Sequence, residues 1–285
     1  MRLSDYDTSK RYAAAVLSNR RITPEHAADD VRELALRIDA DDFEYKPGQN
    51  IGVIVPGPHA LGHGEHFRLY TIADAPPAQG GGPHIDICVK RCHYIDEYSG
   101  EAYDGVASNY LCDRQPGDLI TLCGPYGMAF DIPDNTSANV LMIGMGTGIA
   151  PFRAFVRYIY QQAGTWRGQV RLFYGARTGL EALYMNDEQD DFANYYDRPT
   201  FRAFKALSPR PGWGELPALD DTLLRERAEV WQLLCDPNTY VYVAGLAQVS
   251  EMLDNALANM AGSAEKWRRR KAELVAGGRW AELIY

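Results

Sequence analysis

Four short segments of this 285-residue sequence combine residue types suited to holding a phosphorylated, aromatic ligand. The run GMGTGIAPFR at 144–153 follows the apolar stretch VLMI at 140–143 and opens a helix-like segment over 150–163. Small residues let a backbone approach a pyrophosphate, and the free amides and dipole of a helix N-terminus stabilise its charge. Pro151 falls in the first turn, where a missing N–H costs nothing. A purely structural turn is the alternative, but the strand–loop–helix order favours phosphate. In RLYT at 68–71, a period of two puts Arg68 and Tyr70 on one face and Leu69 and Thr71 on the other. A guanidinium beside an aromatic ring suits a ligand with both phosphates and a flat ring system, although four such residues alone also describe ordinary strand surface. Cys88, Val89, Lys90 and Arg91, with Tyr94 beyond, again join cations to an aromatic, and the stretch from Gly105 through Val106, Ala107 and Ser108 to Asn109 reads as a helix start. There Ser108 can meet an anion.

Two kinds of scaffold position these segments. Strand-like runs at 31–38, 50–55, 67–73, 85–91 and 119–123 are separated by Pro47-Gly48, Pro56-Gly57-Pro58, the glycines at 80–82 and Pro116-Gly117-Asp118. Short antiparallel strands at that spacing predict a small N-terminal β-barrel. After Pro133 the pattern changes: strand-like runs at 140–143, 170–174, 201–207 and 240–243 alternate with helical segments near 150–163, 222–234 and 248–260. That alternation predicts a C-terminal α/β domain with a parallel sheet covered on both faces. The expected boundary lies in residues 131–139, giving domains 1–135 and 136–285.

Composition narrows the function classes. The apolar share of 46% and charged share of 24% describe a soluble globular protein, and a net charge of −9 argues against nucleic-acid binding as a main role. No apolar run is long enough for an integral membrane segment, and MRLSDYDTSKRY has no signal-peptide core. Five cysteines in no framework spacing point to reduced thiols and a cytoplasmic location. Neither Cys88 and Cys92 nor His59, His63 and His66 has the spacing of a metal site, so no metal is expected. Cations cluster at Lys10-Arg11, Arg20-Arg21, Lys90-Arg91 and 268–271. Each cluster alone reads as a solvated face, while several converging would dock an acidic protein.

The ordered set RLYTIA, CVKRCHY, GVASNYLCD, PGDLITLCGPYG, GMGTGIAPFR and YVYVAG, with the terminal Tyr285, resembles the plant-type ferredoxin–NADP reductase family from about residue 12 to 285. The resemblance implies an FAD-binding barrel and an NAD(P)-binding α/β domain. Arg68, Leu69, Tyr70 and Thr71 would hold FAD, with Arg68 on the pyrophosphate and Tyr70 along the isoalloxazine. Cys88, Val89 and Lys90, with Val106, Ala107 and Ser108, would complete the cradle, and Tyr94 would stack on the adenine. Thr147 would sit near the flavin and the incoming nucleotide, Gly245 and Leu246 would line the nucleotide's path, and Tyr285 would cover the isoalloxazine face. Thr71, Glu282 and Tyr285 would be the catalytic set. The implied partner is a ferredoxin or flavodoxin-like one-electron carrier. The alternatives are an NADH-preferring reductase component of an oxygenase system and a flavin-fold protein with a regulatory role.

The sequence differs from the family pattern in places. Thr71 stands for a serine and keeps the hydroxyl; Ala244 stands for a cysteine. Glu282 lies one residue early, with Leu283 in the usual glutamate position. On a strand that shift reverses the face, so either the tail is irregular or Glu282 does not meet the nicotinamide. For the dinucleotide, Ser208 and Arg210 (split by Pro209) and Arg177 are candidate contacts to a 2′-phosphate, favouring NADP over NAD; the run SPRPGWGE at 208–215 is also similar to NADH-using relatives. The purified protein is expected to be yellow, with about one FAD per chain. A colourless, folded preparation that FAD cannot reconstitute would refute this.

Overall fold

The computed structural model describes residues 5–59, 64–77, 83–95, 101–127, 130–213 and 215–284. Contacts divide the chain into two compact units, Met1–Met128 and Ala129–Tyr285.

The first unit is an antiparallel barrel. Its strands are β1 (Arg11–Arg21), β2 (Val31–Ile38), β3 (Asn50–Pro56), β4 (Glu65–Thr71) and β5 (His84–Lys90), a short hairpin β6 (His93–Ile95) and β7 (Ala102–Asp104), and β8 (Leu119–Tyr126); helix α1 (Val106–Cys112) precedes β8. The six long strands run β4-β3-β8-β1-β2-β5. An Ile72–Ile87 bridge and the Ala73 N–H to Asp86 C=O bond (2.7 Å) close the two edges. β1 is absent from the sequence expectation because three consecutive alanines blur its alternation; in the fold Tyr12, Ala14 and Val16 point inward. Leu34, Leu36, Ile51, Val53, Ile85, Ile87 and Leu122 fill the interior with no exposed surface, each contributing about 2 kcal/mol of burial.

Asp30, just ahead of β2, accepts from Arg32 (3.0 Å) and Arg91 (3.0 Å) and lies 3.7 Å from Arg21. Burial pushes its carboxyl pKa up, but Arg91 and Arg32 outweigh that and hold it below the usual aspartate value.

The second unit is a five-stranded parallel sheet. In chain order it contains β9 (Asn139–Met145), α2 (Ile149–Gln161), β10 (Val170–Ala176), β11 (Phe201–Leu207), α3 (Leu219–Arg225), α4 (Arg227–Cys235), β12 (Thr239–Gly245), α5 (Ala247–Ala261), α6 (Ala264–Ala276) and β13 (Trp280–Ile284). The strand order is β11-β10-β9-β12-β13. Helices cover both faces. Leu141, Ile143, Val241 and Val243 meet Leu219, Leu253, Leu257, Trp267 and Leu274 on one side. On the other, Phe130 stacks on Phe152 (6.1 Å) and meets Tyr242 edge-on (5.4 Å). Phe130, which precedes the boundary expected at 131–139, therefore packs into this unit. The single helix expected over 222–234 is two, because Glu226 leaves helical geometry (ψ 20°). None of the described helices is long and apolar enough to cross a membrane.

The tail decides between the two readings of Glu282. β13 pairs with β12 in unbroken parallel register from Val241–Trp280 to Gly245–Ile284. Alternation therefore puts Trp280, Glu282 and Ile284 on one face, where Trp280 and Ile284 join the helix-covered core. The Glu282 carboxylate accepts from Trp280 Nε1 (2.6 Å) and Ser250 Oγ (3.3 Å) and pairs with Lys271 (3.0 Å). Burial works against the Lys271 charge, yet Glu282 and Asp254 hold its pKa above the usual lysine value. Of the two readings of the tail, the strand is regular, and the Glu282 carboxylate ties β13 to α5 and α6. Tyr285 lies outside the described residues.

Glu282→Ala is expected to lower stability by about 1.5–3 kcal/mol, the range for charged hydrogen bonds, as read from urea unfolding; an unchanged midpoint would contradict the anchoring role. Asp30 contributes stability above the ordinary aspartate pKa, and that contribution is lost as pH falls through its lowered value. Wild type should therefore lose stability below about pH 4 more steeply than Asp30→Asn, measured as midpoints across an acid series. Parallel curves would show that Asp30 is not depressed.

Candidate functional site

In the barrel unit, β3 holds β4 in a register that pairs Val53 with Arg68, Ile51 with Tyr70 and Asn50 with Thr71. Arg68 is exposed and has no carboxylate partner among the described residues, whereas Arg11, Arg20, Arg21, Arg32 and Arg91 all have one. Leu69, Tyr70 and Thr71 are half-buried, and Tyr70 packs against the barrel core. Burial pushes the Tyr70 phenol far above its ordinary pKa, so it stays neutral.

β5 contributes buried Cys88 and Val89 and the exposed Lys90, whose ammonium is engaged by Asp29 at 2.7 Å. The chain leaving β5 is stitched to the start of α1. Arg91 donates to Asn109 (2.8 Å) and Asp113 (2.9 Å), Asn109 Nδ2 donates to the carbonyls of Cys92 and Gly105, and Gly105 N–H donates to Cys92 O. The Ser108 hydroxyl belongs to this stitching: it accepts from Cys92 N–H (3.1 Å) and donates to Gly105 O (3.2 Å). What this segment can offer an anion is therefore backbone rather than hydroxyl. The first bond of α1 runs from Asn109 N–H to Gly105 O, which leaves the amides of Val106, Ala107 and Ser108 outside the helical ladder, with no acidic residue in the first turn. α1 packs on β3, β4 and β5, which brings these amides to the strands carrying Arg68 and Cys88.

Tyr94 and Tyr103 stack on each other across the β6–β7 hairpin, 5.5 Å apart and inclined by 20°, while remaining 57% and 42% exposed. Sequence reasoning missed Tyr103; alternation across a hairpin was the available signal. An uncompensated guanidinium, free amides and an exposed aromatic platform together fit a group with a pyrophosphate and planar rings, as FAD is.

In the parallel unit the chain runs from β9 outward through β10 to β11, then returns to the far side of β9 as β12. The switch point lies between β9 and β12, and ligands of such sheets bind beyond the strand carboxyl ends there. The glycine loop occupies that position. Gly146–Gly148 forms a 3-10 turn between β9 and α2, with half-buried Thr147 at its centre. Gly146 has φ +56°, and a Cβ there would meet nothing within 4 Å. Gly148 faces the opposite limit, since a Cβ would come 2.5 Å from the Ala244 carbonyl oxygen. Across the switch, Gly245 and exposed Leu246 lead into α5, whose first turn, like that of α2, carries no acidic residue. The structure thus brings Thr147, Gly245 and Leu246 to one crevice.

Arg177 and Ser208 follow β10 and β11 and are adjacent, Ser208 N–H donating to Arg177 O at 3.3 Å. Their polar groups are already engaged. Arg177 pairs with Glu181 (2.7 Å), Ser208 Oγ donates to the Glu215 carbonyl (2.7 Å), and Arg210 pairs with the Glu215 carboxylate (3.6 Å). Beside Arg210, 5.7 Å from its guanidinium, stands Trp213, 81% exposed. Trp213 belongs to the run SPRPGWGE that is similar to NADH-using relatives, with no contact assigned to it from the sequence. No group of three His, Cys, Asp or Glu residues is placed to hold a metal ion among the described residues.

Two family models match: an oxidoreductase FAD-binding domain over residues 22–130 and an oxidoreductase NAD-binding domain over 142–255. The chain is 31% identical to ferredoxin–NADP reductase leaf isozyme 1 (chloroplastic) of Oryza sativa subsp. indica, covering 98% of this chain and 78% of that protein. It is 30% identical to ferredoxin–NADP reductase of Spirulina sp., over 98% and 97% of the two chains. In structure it is similar to ferredoxin–NADP+ reductase from Plasmodium falciparum, with a TM-score of 0.74 over 98% of both chains at 18% identity, a likeness of fold. With an FAD-binding barrel followed by an NAD-binding parallel sheet, and this degree of identity over nearly its whole length, the chain belongs to the ferredoxin–NADP reductase family.

Proposed function

We propose that this protein is an FAD-dependent oxidoreductase that exchanges electrons between NADP(H) and a one-electron carrier, a ferredoxin or a flavodoxin-like protein. The observation that carries the reading is the glycine loop at the switch point of the parallel sheet, in a chain whose barrel leaves Arg68 uncompensated. The names of the relatives support the two substrates.

FAD held in the barrel would supply the exchange between a two-electron hydride and single electrons. The protein's part is placement. Arg68 and the amides of Val106, Ala107 and Ser108 hold the pyrophosphate, Leu69, Tyr70 and Thr71 with the Cys88–Lys90 backbone line the isoalloxazine and ribityl chain, and Tyr94 stacks on the adenine. Thr71 offers its hydroxyl toward the flavin N5 region. Thr147, Gly245 and Leu246 would receive the dinucleotide; Tyr285, to which the resemblance gives the isoalloxazine face, lies outside the described residues. Glu282 takes no part in the chemistry.

The 2′-phosphate of NADP is read by Arg177 and Arg210, with Trp213 offering a face to the adenine. Glu181 and Glu215 hold these two arginines and compete with the phosphate for them. That competition favours a second reading, an NADH-preferring reductase component of an oxygenase system. All five cysteines are free thiols, which supports a cytoplasmic location.

Anaerobic mixing of the FAD-loaded protein with NADPH is expected to bleach the flavin in a fast phase, with NADH slower; the reverse order would install the second reading, and no fast phase with either would end the first. Glu215→Gln is expected to raise the preference for NADPH over NADH by about fivefold, on the order of 1 kcal/mol for a freed, solvent-exposed cation. An unchanged ratio would remove Arg210 from the 2′-phosphate.

A further inference from the structure

Tyr174, on β10, has no exposed surface. Its neighbour Phe173 packs in the core with Ile143 and Val243, so alternation turns Tyr174 to the opposite face of the sheet, where Phe155 of α2 meets Tyr242. A phenol buried there requires a partner for its O–H. It finds one in the glycine loop: the hydroxyl donates to the Gly146 carbonyl at 2.9 Å. That carbonyl also accepts the Ile149 N–H as α2 begins. Two donors from two elements therefore hold one oxygen of the loop.

Fixing the oxygen fixes the peptide. The Gly146–Thr147 bond is planar and trans, so its N–H points opposite to its C=O. With the oxygen drawn toward the buried phenol, the amide edge of the peptide faces away from the sheet interior, on the side where Gly146 is exposed. The glycine serves the same end. Its φ of +56° lies in the left-handed region, and a Cβ there would meet nothing within 4 Å, so backbone conformation and not space selects the residue. A flip of this peptide would exchange N–H for C=O and turn an oxygen toward any anion at the loop. The phenol opposes that flip, and its hydrogen bond polarises the peptide in the direction that strengthens the amide as a donor.

We propose, on the dinucleotide reading of this crevice, that Tyr174 is a positioning residue: its hydroxyl locks the Gly146–Thr147 peptide so that the loop shows its amide edge to the dinucleotide's pyrophosphate. The ligand group follows from what is displayed. An amide edge on a glycine turn, ahead of a helix with no acidic residue in its first turn, suits an anionic diphosphate. Tyr174, fully buried, acts only through the loop.

The FAD-loaded protein is titrated calorimetrically with NADP+, NAD+ and adenosine 2′-phosphate. Tyr174→Phe removes one oxygen and keeps the ring. It is expected to weaken NADP+ and NAD+ alike by about fivefold, the loss of one net hydrogen bond, and to leave adenosine 2′-phosphate, which has no pyrophosphate, bound as in wild type. Undiminished binding of both dinucleotides, or an equal loss for all three ligands, would overturn the positioning role. Gly146→Ala disturbs the same peptide through φ. Tyr174→Phe is therefore expected to weaken NADP+ less in the Gly146→Ala protein than in wild type, and additive losses would overturn action through that peptide. Wild-type protein that holds FAD but takes up none of the three nucleotides would remove the dinucleotide reading itself, and the role with it.

Discussion

The second unit depends on how closely its two central crossovers approach. At the switch point a glycine at 148 lets the turn into α2 lie against the Ala244 carbonyl, at a spacing no side chain permits. Gly144 is similarly confined, with the Phe152 ring 2.7 Å and the Ala244 carbonyl oxygen 3.0 Å from where its Cβ would be. These contacts fix the distance between the loop after β9 and the loop after β12, and so the width of the crevice that receives the nucleotide. The departure at Ala244 is felt here through the main chain: the carbonyl, which any residue supplies, sets the spacing.

Charge is distributed by the same economy in both units. Most cations have a local carboxylate: Asp30, partly buried, serves Arg21, Arg32 and Arg91, while exposed pairs such as Lys10 with Asp42 contribute little to stability. Their effect is on recognition, since they cancel the basic clusters that would otherwise present a continuous positive face. Lys10 with Asp42, Arg11 with Glu65, Arg20 with Glu33 and Lys90 with Asp29 leave the barrel's outer strands nearly neutral in detail. Arg68, like Arg37 on β2, has no carboxylate within ion-pair reach among the described residues, and it lies on the strand against which α1 packs.

Much of this was legible in the sequence, for physical reasons. Continuous apolar runs such as 140–143 mark strands buried on both faces, and the glycine loop is recognisable because strand, loop and helix occur in one order. β1 was not legible, since alanine carries no strong preference and its alternation becomes visible only once Tyr12, Ala14 and Val16 are seen facing the core. α6 was hidden by its charge, because a helix that buries only Trp267 and Leu274 shows a weak apolar stripe. Of the candidate site residues, positions were easier to read than states. Ser208, Arg177 and Lys90 stand at the ends of β11, β10 and β5, but which of their polar atoms are already engaged depends on Glu215, Glu181 and Asp29, partners that no motif specifies. Glu282 shows the opposite case, in which a one-residue offset in a regular strand chooses the face and with it the partners of the carboxylate.

The placement of β1 has a consequence for the order of events during synthesis. β1 pairs with β2 on one side and with β8 on the other, Arg11 lying opposite Cys123. The hairpins β1–β2 and β3–β4 can form early and β5 joins them, but the ring has a gap until the segment at 119–126 has been made. Until then β1 and β3 each present an unpaired edge, and closing it joins residues more than a hundred positions apart, a non-local step of the kind that slows folding. The nascent barrel is therefore open for most of its translation and is sealed by its last strand.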